Sequence, residues 1–273
     1  MAIQLLPLAY RLTRGCTWLL LTGSAWLSLA WAQDSTNERY ARWIELAPPG
    51  IKRLIDIGEV SFESDDRQLA ERKKQGLAKF NFDYQYRYQF ITTSRGFAKD
   101  SQNPVLNVSA KIQLTNLKLA HQVFILSTFD QKDPWKSRLL QHEFDHVSIS
   151  TDPRLKILLK LCLGAPLKIQ IPLETEDPQA QPLNTRIDQE IHRSMKERVK
   201  EIERITQALN DQFDKESYDG VGNISERDGF FSEFFTVETL KKLDFKSPLA
   251  FDEYAAAISK SPWKEHYSLN APP

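Results

Sequence analysis

From Phe80 to Phe90 every second residue is aromatic: Phe80, Phe82, Tyr84, Tyr86, Tyr88 and Phe90 alternate with Asn81, Asp83, Gln85, Arg87 and Gln89. A strict period of two puts all six rings on one face of a strand, which predicts a half-buried antiparallel strand with its polar face in water. After a polar loop over Thr92–Asn103, Leu106, Val108, Ala110, Ile112 and Leu114 alternate in the same way with Asn107, Ser109, Lys111, Gln113 and Thr115. This predicts a second strand. Val123–Leu126 reads as a third, more buried strand, and Leu167, Ile169 and Ile171 as a short one ended by Pro172.

Elsewhere the spacing changes to three and four. Ile187, Ile191, Met195, Val199, Ile202, Leu209 and Phe213 form one apolar stripe, which predicts a long helix from about Thr185 to Phe213. Asp152-Pro153 supplies a cap and first turn for an apolar helix over Arg154–Leu163, closed by Gly164. Asp133-Pro134 does the same for a helix running to Ile149, with Trp135, Leu139, Leu140 and Val147 as its apolar flank. Asn37–Gly76 reads as helix and loop broken at Pro48-Pro49-Gly50, and the phenylalanines of Gly229–Phe235 read as core. The predicted fold is α+β, a small antiparallel sheet packed against the helix that ends near Ile149 and against the long helix downstream.

Residues 1–32 have the three parts of a secretory signal. Arg11 and Arg14 are basic, Trp18 to Leu29 is apolar, and Ala30-Trp31-Ala32 is a small-residue cleavage site. Cleavage after Ala32 makes the protein secreted or periplasmic and leaves roughly 240 residues, enough for a sizeable core. Cys162 is then the one cysteine left, so no intrachain disulfide is expected, and its apolar surroundings read as core. Lys and Arg total 36, and so do Asp and Glu. With no basic excess, a nucleic-acid partner is not expected, and with no second long apolar run, neither is a membrane span in the mature chain.

The chemistry is concentrated in His142-Glu143-Phe144-Asp145-His146. Four residues apart on a helix, His142 and His146 lie on one face and can reach one metal ion. Glu143 can face a water held there and take its proton. His192, four residues after Asp188, reads as a boundary histidine rather than a ligand.

The long helix runs into Phe213-Asp-Lys-Glu-Ser-Tyr-Asp-Gly220. The order of aromatic strand, second strand, Trp-containing lead-in, H-E-x-x-H, long helix and this last motif, over about residues 78–235, resembles domain-of-unknown-function family 922. That family comprises secreted bacterial proteins that look like zinc-dependent proteases. Its closing pattern is Y-D-x-x-T-x-H-G; here Phe213 stands for Tyr, Ser217 for Thr and Asp219 for His. The resemblance implies a metalloprotease-like domain over 78–235, between an N-terminal segment (33–77) and a C-terminal extension (236–273). It also implies a zinc site of His142, His146 and Asp219, with Glu216 as the nearest substitute for Asp219. Glu143 is the implied general base and Tyr218 a donor to the developing oxyanion, acting on a protein or peptide substrate. The rival expectation is a non-catalytic exported binding or scaffold protein on the same fold. Intact Glu143 favours catalysis; Asp219 and the charged Asp145 inside the motif favour the rival.

Overall fold

A computed structural model describes residues 38–97, 104–129, 131–173, 182–220, 222 and 227–267, and the expected leader lies outside them. Its organising unit is a long antiparallel pair, β2 (Gly76–Phe97) and β3 (Pro104–Ile125). The alternating aromatics of β2 lie beside the apolar residues of β3: Phe82 faces Leu119, Tyr84 faces Leu117, Tyr86 faces Leu114 and Tyr88 faces Ile112. Gln85 pairs with Asn116 while Tyr86 pairs with Leu114, so Thr115 is an extra residue in β3. Such a bulge reverses the parity of everything beyond it. Buried positions accordingly pass from even numbers (Val108, Ala110, Ile112) to odd ones (Leu119, His121, Val123, Ile125) while keeping to one face. This corrects the expectation of a separate third strand at Val123–Leu126: Val123–Ile125 finish β3, beyond a change of phase that looked like an interruption.

β3 is the centre of a four-stranded sheet. On the side away from β2 it pairs with β1 (Val60–Glu63) near its end and with β4 (Leu167–Pro172) near its start. The β1 pairing is parallel, so the sheet is mixed rather than wholly antiparallel as expected. β1 has only four residues, Val60-Ser-Phe-Glu63, too short for a period to be read.

Helices α1 (residues 38–46), α2 (Pro49–Ile57) and α3 (Asp66–Glu71) surround β1. Pro49 and Gly50 open α2 instead of breaking the chain, because Pro is at home in a helix's first turn. Next come a 3-10 turn at Pro134–Lys136, then α4 (Arg138–Ser150) and α5 (Pro153–Gly164). α4 is capped at Ser137, one turn later than the expected Asp133, whose carboxylate pairs with Lys136 instead. Asp152 does cap α5, its Oδ1 accepting from Arg154 N–H at 2.7 Å. α6 (Leu183–Ser217) continues one turn beyond Phe213. The chain then packs α7 (Arg227–Ser232), α8 (Val237–Lys242), α9 (Phe251–Ile258) and α10 (Trp263–His266) around α5 and the end of α6. Among the described residues no helix is long and apolar enough to cross a membrane.

The architecture is α+β, with two joined apolar clusters. The larger holds the sheet's aromatic face with α5, α6 and the C-terminal helices, including Cys162, Phe231, Phe234, Phe235 and Tyr254. The smaller joins Tyr40, Trp43 and Leu54 to Val123 and Ile125 and to Leu140, Phe144 and Val147 of α4. The described parts of 33–77 and 236–273 thus share cores with 78–235. Between these clusters α4 has apolar contact on two sides, leaving one face for polar groups.

Candidate metal centre

That face carries His142 and His146. Their rings meet edge to face, with centroids 4.7 Å apart, and their Nε2 atoms are separated by 3.2 Å. The ring of Phe213 stacks on His142 at 5.0 Å and meets His146 edge-on at 5.1 Å, walling the pair with apolar surface. Phe213 is the last member of the α6 stripe, and the turn it starts brings the next residue, Asp214, into the same place. Asp214 Oδ1 lies 3.1 Å from His142 Nε2 and 2.8 Å from His146 Nε2. These three residues form a group that could hold a metal ion.

Their hydrogen bonding supports that use. Asn210, one turn before Asp214, donates from Nδ2 to the Thr206 carbonyl at 2.8 Å, which turns its Oδ1 toward His146. His146 Nδ1–H donates to that oxygen at 2.7 Å, leaving the Nε2 lone pair directed at the shared point. Asp214 Oδ1 is buried and makes no geometrically sound hydrogen bond among the described residues, although two imidazole nitrogens lie within ion-pair distance. A proton or a metal ion placed between them would relieve this crowding of acceptor atoms. The three atoms are separated by 2.8 to 3.2 Å, close enough for one ion to reach all of them.

The electrostatics follow from the same contacts. Burial would raise the Asp214 carboxyl, but the contacts with His142 and His146 and the Lys74 charge outweigh it and hold the group far below the usual range. Burial would lower His146, but Asp214 and Glu143 raise it above its ordinary value. Glu143 is buried, and burial raises its carboxyl despite the opposing fields of His146, His142 and Lys74. Space for it comes from Gly76 at the start of β2, where an added Cβ would stand 2.7 Å from Glu143 Oε1.

The structure brings His142 and His146 together, with Glu143 buried next to them on α4. It does not bring Asp219 to them. In its place the third group is Asp214, and this corrects the expected ligand set. The left-handed residues Tyr218 (φ 50°) and Asp219 (φ 51°) turn the chain outward after α6, so the Asp219 side chain is 76 % exposed, with its Oδ1 3.8 Å from Lys74 Nζ. Tyr218 is 75 % exposed, and Glu216 is exposed on the outer face of α6. Gly220 (φ 83°) follows with its Cα against His142, where a Cβ would lie 2.8 Å from Cγ. His192 is remote from the centre and hydrogen-bonds the Tyr86 hydroxyl.

Asp214 carried a sequence signal. Asn210 and Asp214 are four apart, each following a stripe residue (Leu209, Phe213), and so share one helical face beside the core. Ending the helix at Phe213 hid this. Comparison with protein-family models, with curated proteins and with solved structures finds no match, so the functional reading rests on the chain's own residues.

Proposed function

We propose that this chain is an exported zinc-dependent hydrolase of the metallopeptidase type, with His142, His146 and Asp214 as the metal ligands and Glu143 as the general base. The observation that carries the reading is the convergence of two imidazole nitrogens and one carboxylate oxygen beside a buried glutamate. Two histidines with one carboxylate are a usual ligand set for catalytic zinc. Zinc bound there supplies a Lewis acid, which lowers the pKa of a water to about 7 and polarises a carbonyl. Glu143, its carboxyl raised by burial, accepts the proton of the attacking water and can pass it to the leaving amine. Asn210 keeps His146 in the ligating tautomer, and Phe213 shields the pair from bulk water.

A peptide substrate is supported by the place of β2. It starts at Gly76 beside Glu143, and among the described residues no strand pairs with its outer edge, where an extended chain can add its own hydrogen bonds. The signal-like pattern of residues 1–32 supports export. The scaffold alternative drew on Asp219 and on Asp145; Asp214 supplies a third group without Asp219, which weakens the first of these grounds and leaves the second.

The test pairs metal analysis with an unbiased digest of proteins and peptides. The purified chain should carry about one zinc. Glu143→Gln should keep it and lose activity by on the order of 10²–10⁴-fold. Absence of zinc after reconstitution, or cleavage by Glu143→Gln at the parent rate, would overturn the proposal.

A further inference from the structure

A carboxylate has two oxygens to offer a metal, and only Asp214 Oδ1 faces the histidines. The other is held elsewhere: Lys74 Nζ donates to Asp214 Oδ2 at 3.1 Å, a charge-assisted bond at a partly buried position. The geometry points to Lys74 as a positioning residue that confines Asp214 to one-oxygen ligation, so that a coordination position stays open for water and substrate. This rests on the metal centre proposed above and goes beyond it by assigning a residue outside the motif.

Lys74 is well placed for the task. α3 ends in a turn through left-handed Lys73 (φ 55°), and Lys74 N–H is tied back to the Leu69 carbonyl at 3.0 Å. Two residues later β2 begins at Gly76. One short connection therefore sets the ammonium against Asp214 and makes the space for Glu143. Asp219 approaches the ammonium only to 3.8 Å from an exposed position, which makes it a weak outer restraint.

Metal affinity alone is a poor test, because two effects oppose each other. Loss of a group that orients a ligand weakens metal binding about 10–100-fold. Loss of a cation a few ångströms from a divalent ion strengthens it. Coordination number separates them. If Lys74 holds Oδ2, its removal frees that oxygen to join the metal, and four-coordination gives way to five.

Cobalt(II) substituted into the full chain reports this through its visible absorption, which is intense for four-coordinate and weak for five-coordinate centres. Lys74→Met should lower that absorption by on the order of twofold relative to the parent, since the bands follow coordination geometry. Lys74→Arg, which can still donate to Oδ2, should retain it, and Asp219→Ala should leave it unchanged. With a four-coordinate parent, a Lys74→Met spectrum equal to the parent's, or a Lys74→Arg spectrum equal to that of Lys74→Met, would overturn the assignment and leave the metal centre standing. A parent that binds neither cobalt nor zinc would overturn both. Lys74 is about one-third exposed and belongs to neither apolar cluster, so the variants should fold; far-UV circular dichroism checks this.

Discussion

Asp214 and Asp219 are five positions apart and have opposite surroundings. One belongs to the last turn of a packed helix; the other follows a left-handed residue into solvent. Asp214→Ala removes one of the three proposed ligands and should weaken zinc binding far more than Asp219→Ala, which should stay within a few-fold of the parent; competition against a chelator measures both. A reversed order would return the third-ligand role to Asp219. The distinction was not legible from residue type. Both are Asp, and the family-like motif drew the eye to the position before Gly220. Helix phase, which places Asn210 and Asp214 on one face, held the better information, but it needed a helix end that only packing sets.

At the scale of elements, α4 is fixed at its far end by a buried contact to the sheet. His121 of β3 donates from Nδ1 to the Gly58 carbonyl at 2.7 Å, and its Nε2 lies 2.6 Å from Ser150 Oγ at the end of α4. Burial depresses the His121 pKa below its ordinary value, partly offset by the Gly58 bond. Above about pH 6.5 the imidazole is neutral in both folded and unfolded chains. Below that, the unfolded chain takes up a proton that the folded one resists, so stability falls as pH drops. His266, also lowered by burial, acts in the same direction, whereas raised His146 opposes it in the metal-free protein. The readout is therefore a difference. Between pH 7 and pH 5 the metal-free parent should lose stability relative to His121→Gln in urea unfolding; parallel pH dependences would contradict the buried neutral imidazole. The strand carrying His121 is legible in the sequence up to Thr115 and again from Val123, but residues 116–122, His121 among them, fall outside both readings. The bulge was present in the sequence as a change from even to odd apolar positions, and it was taken for a gap because one extra residue breaks a period just as a loop does.

The whole molecule is tied together at the start of α5. Arg154 and Asp152 are 2 % and 0 % exposed in their side chains, with guanidinium and carboxylate 2.6 Å apart. Arg154 also donates to the carbonyls of Phe231 and Ser232 and lies 4.4 Å over the Trp263 ring, while the Tyr267 hydroxyl donates to Asp152 Oδ2 at 2.7 Å. This joins the C-terminal helices to α5 and, through it, to the end of α4. Removing one partner leaves a buried charge uncompensated and costs about 3–5 kcal/mol. Asp152→Ala should lower stability by that amount in denaturant unfolding, while Arg193→Ala, which breaks an exposed pair with Glu190, should change it by less than about 1 kcal/mol. Equal effects would show that the buried pair is not what joins these parts.

What the sequence determined by itself was everything carried by a local period or a local cap. The aromatic face of β2, the apolar stripe of α6, the cap at Asp152 and the pair His142 and His146 on one face of α4 all depend on spacings of two, three or four residues, which the backbone geometry alone converts into a shared face. What only the tertiary structure decided was which separate faces meet. No local rule places β1 parallel to the end of β3, sets Lys74 against Asp214 across 140 residues, or prefers Asp214 to Asp219 as the third group. The last two depend on the final turn of α6 meeting α4, where Phe213 packs against both histidine rings and carries the next carboxylate to them.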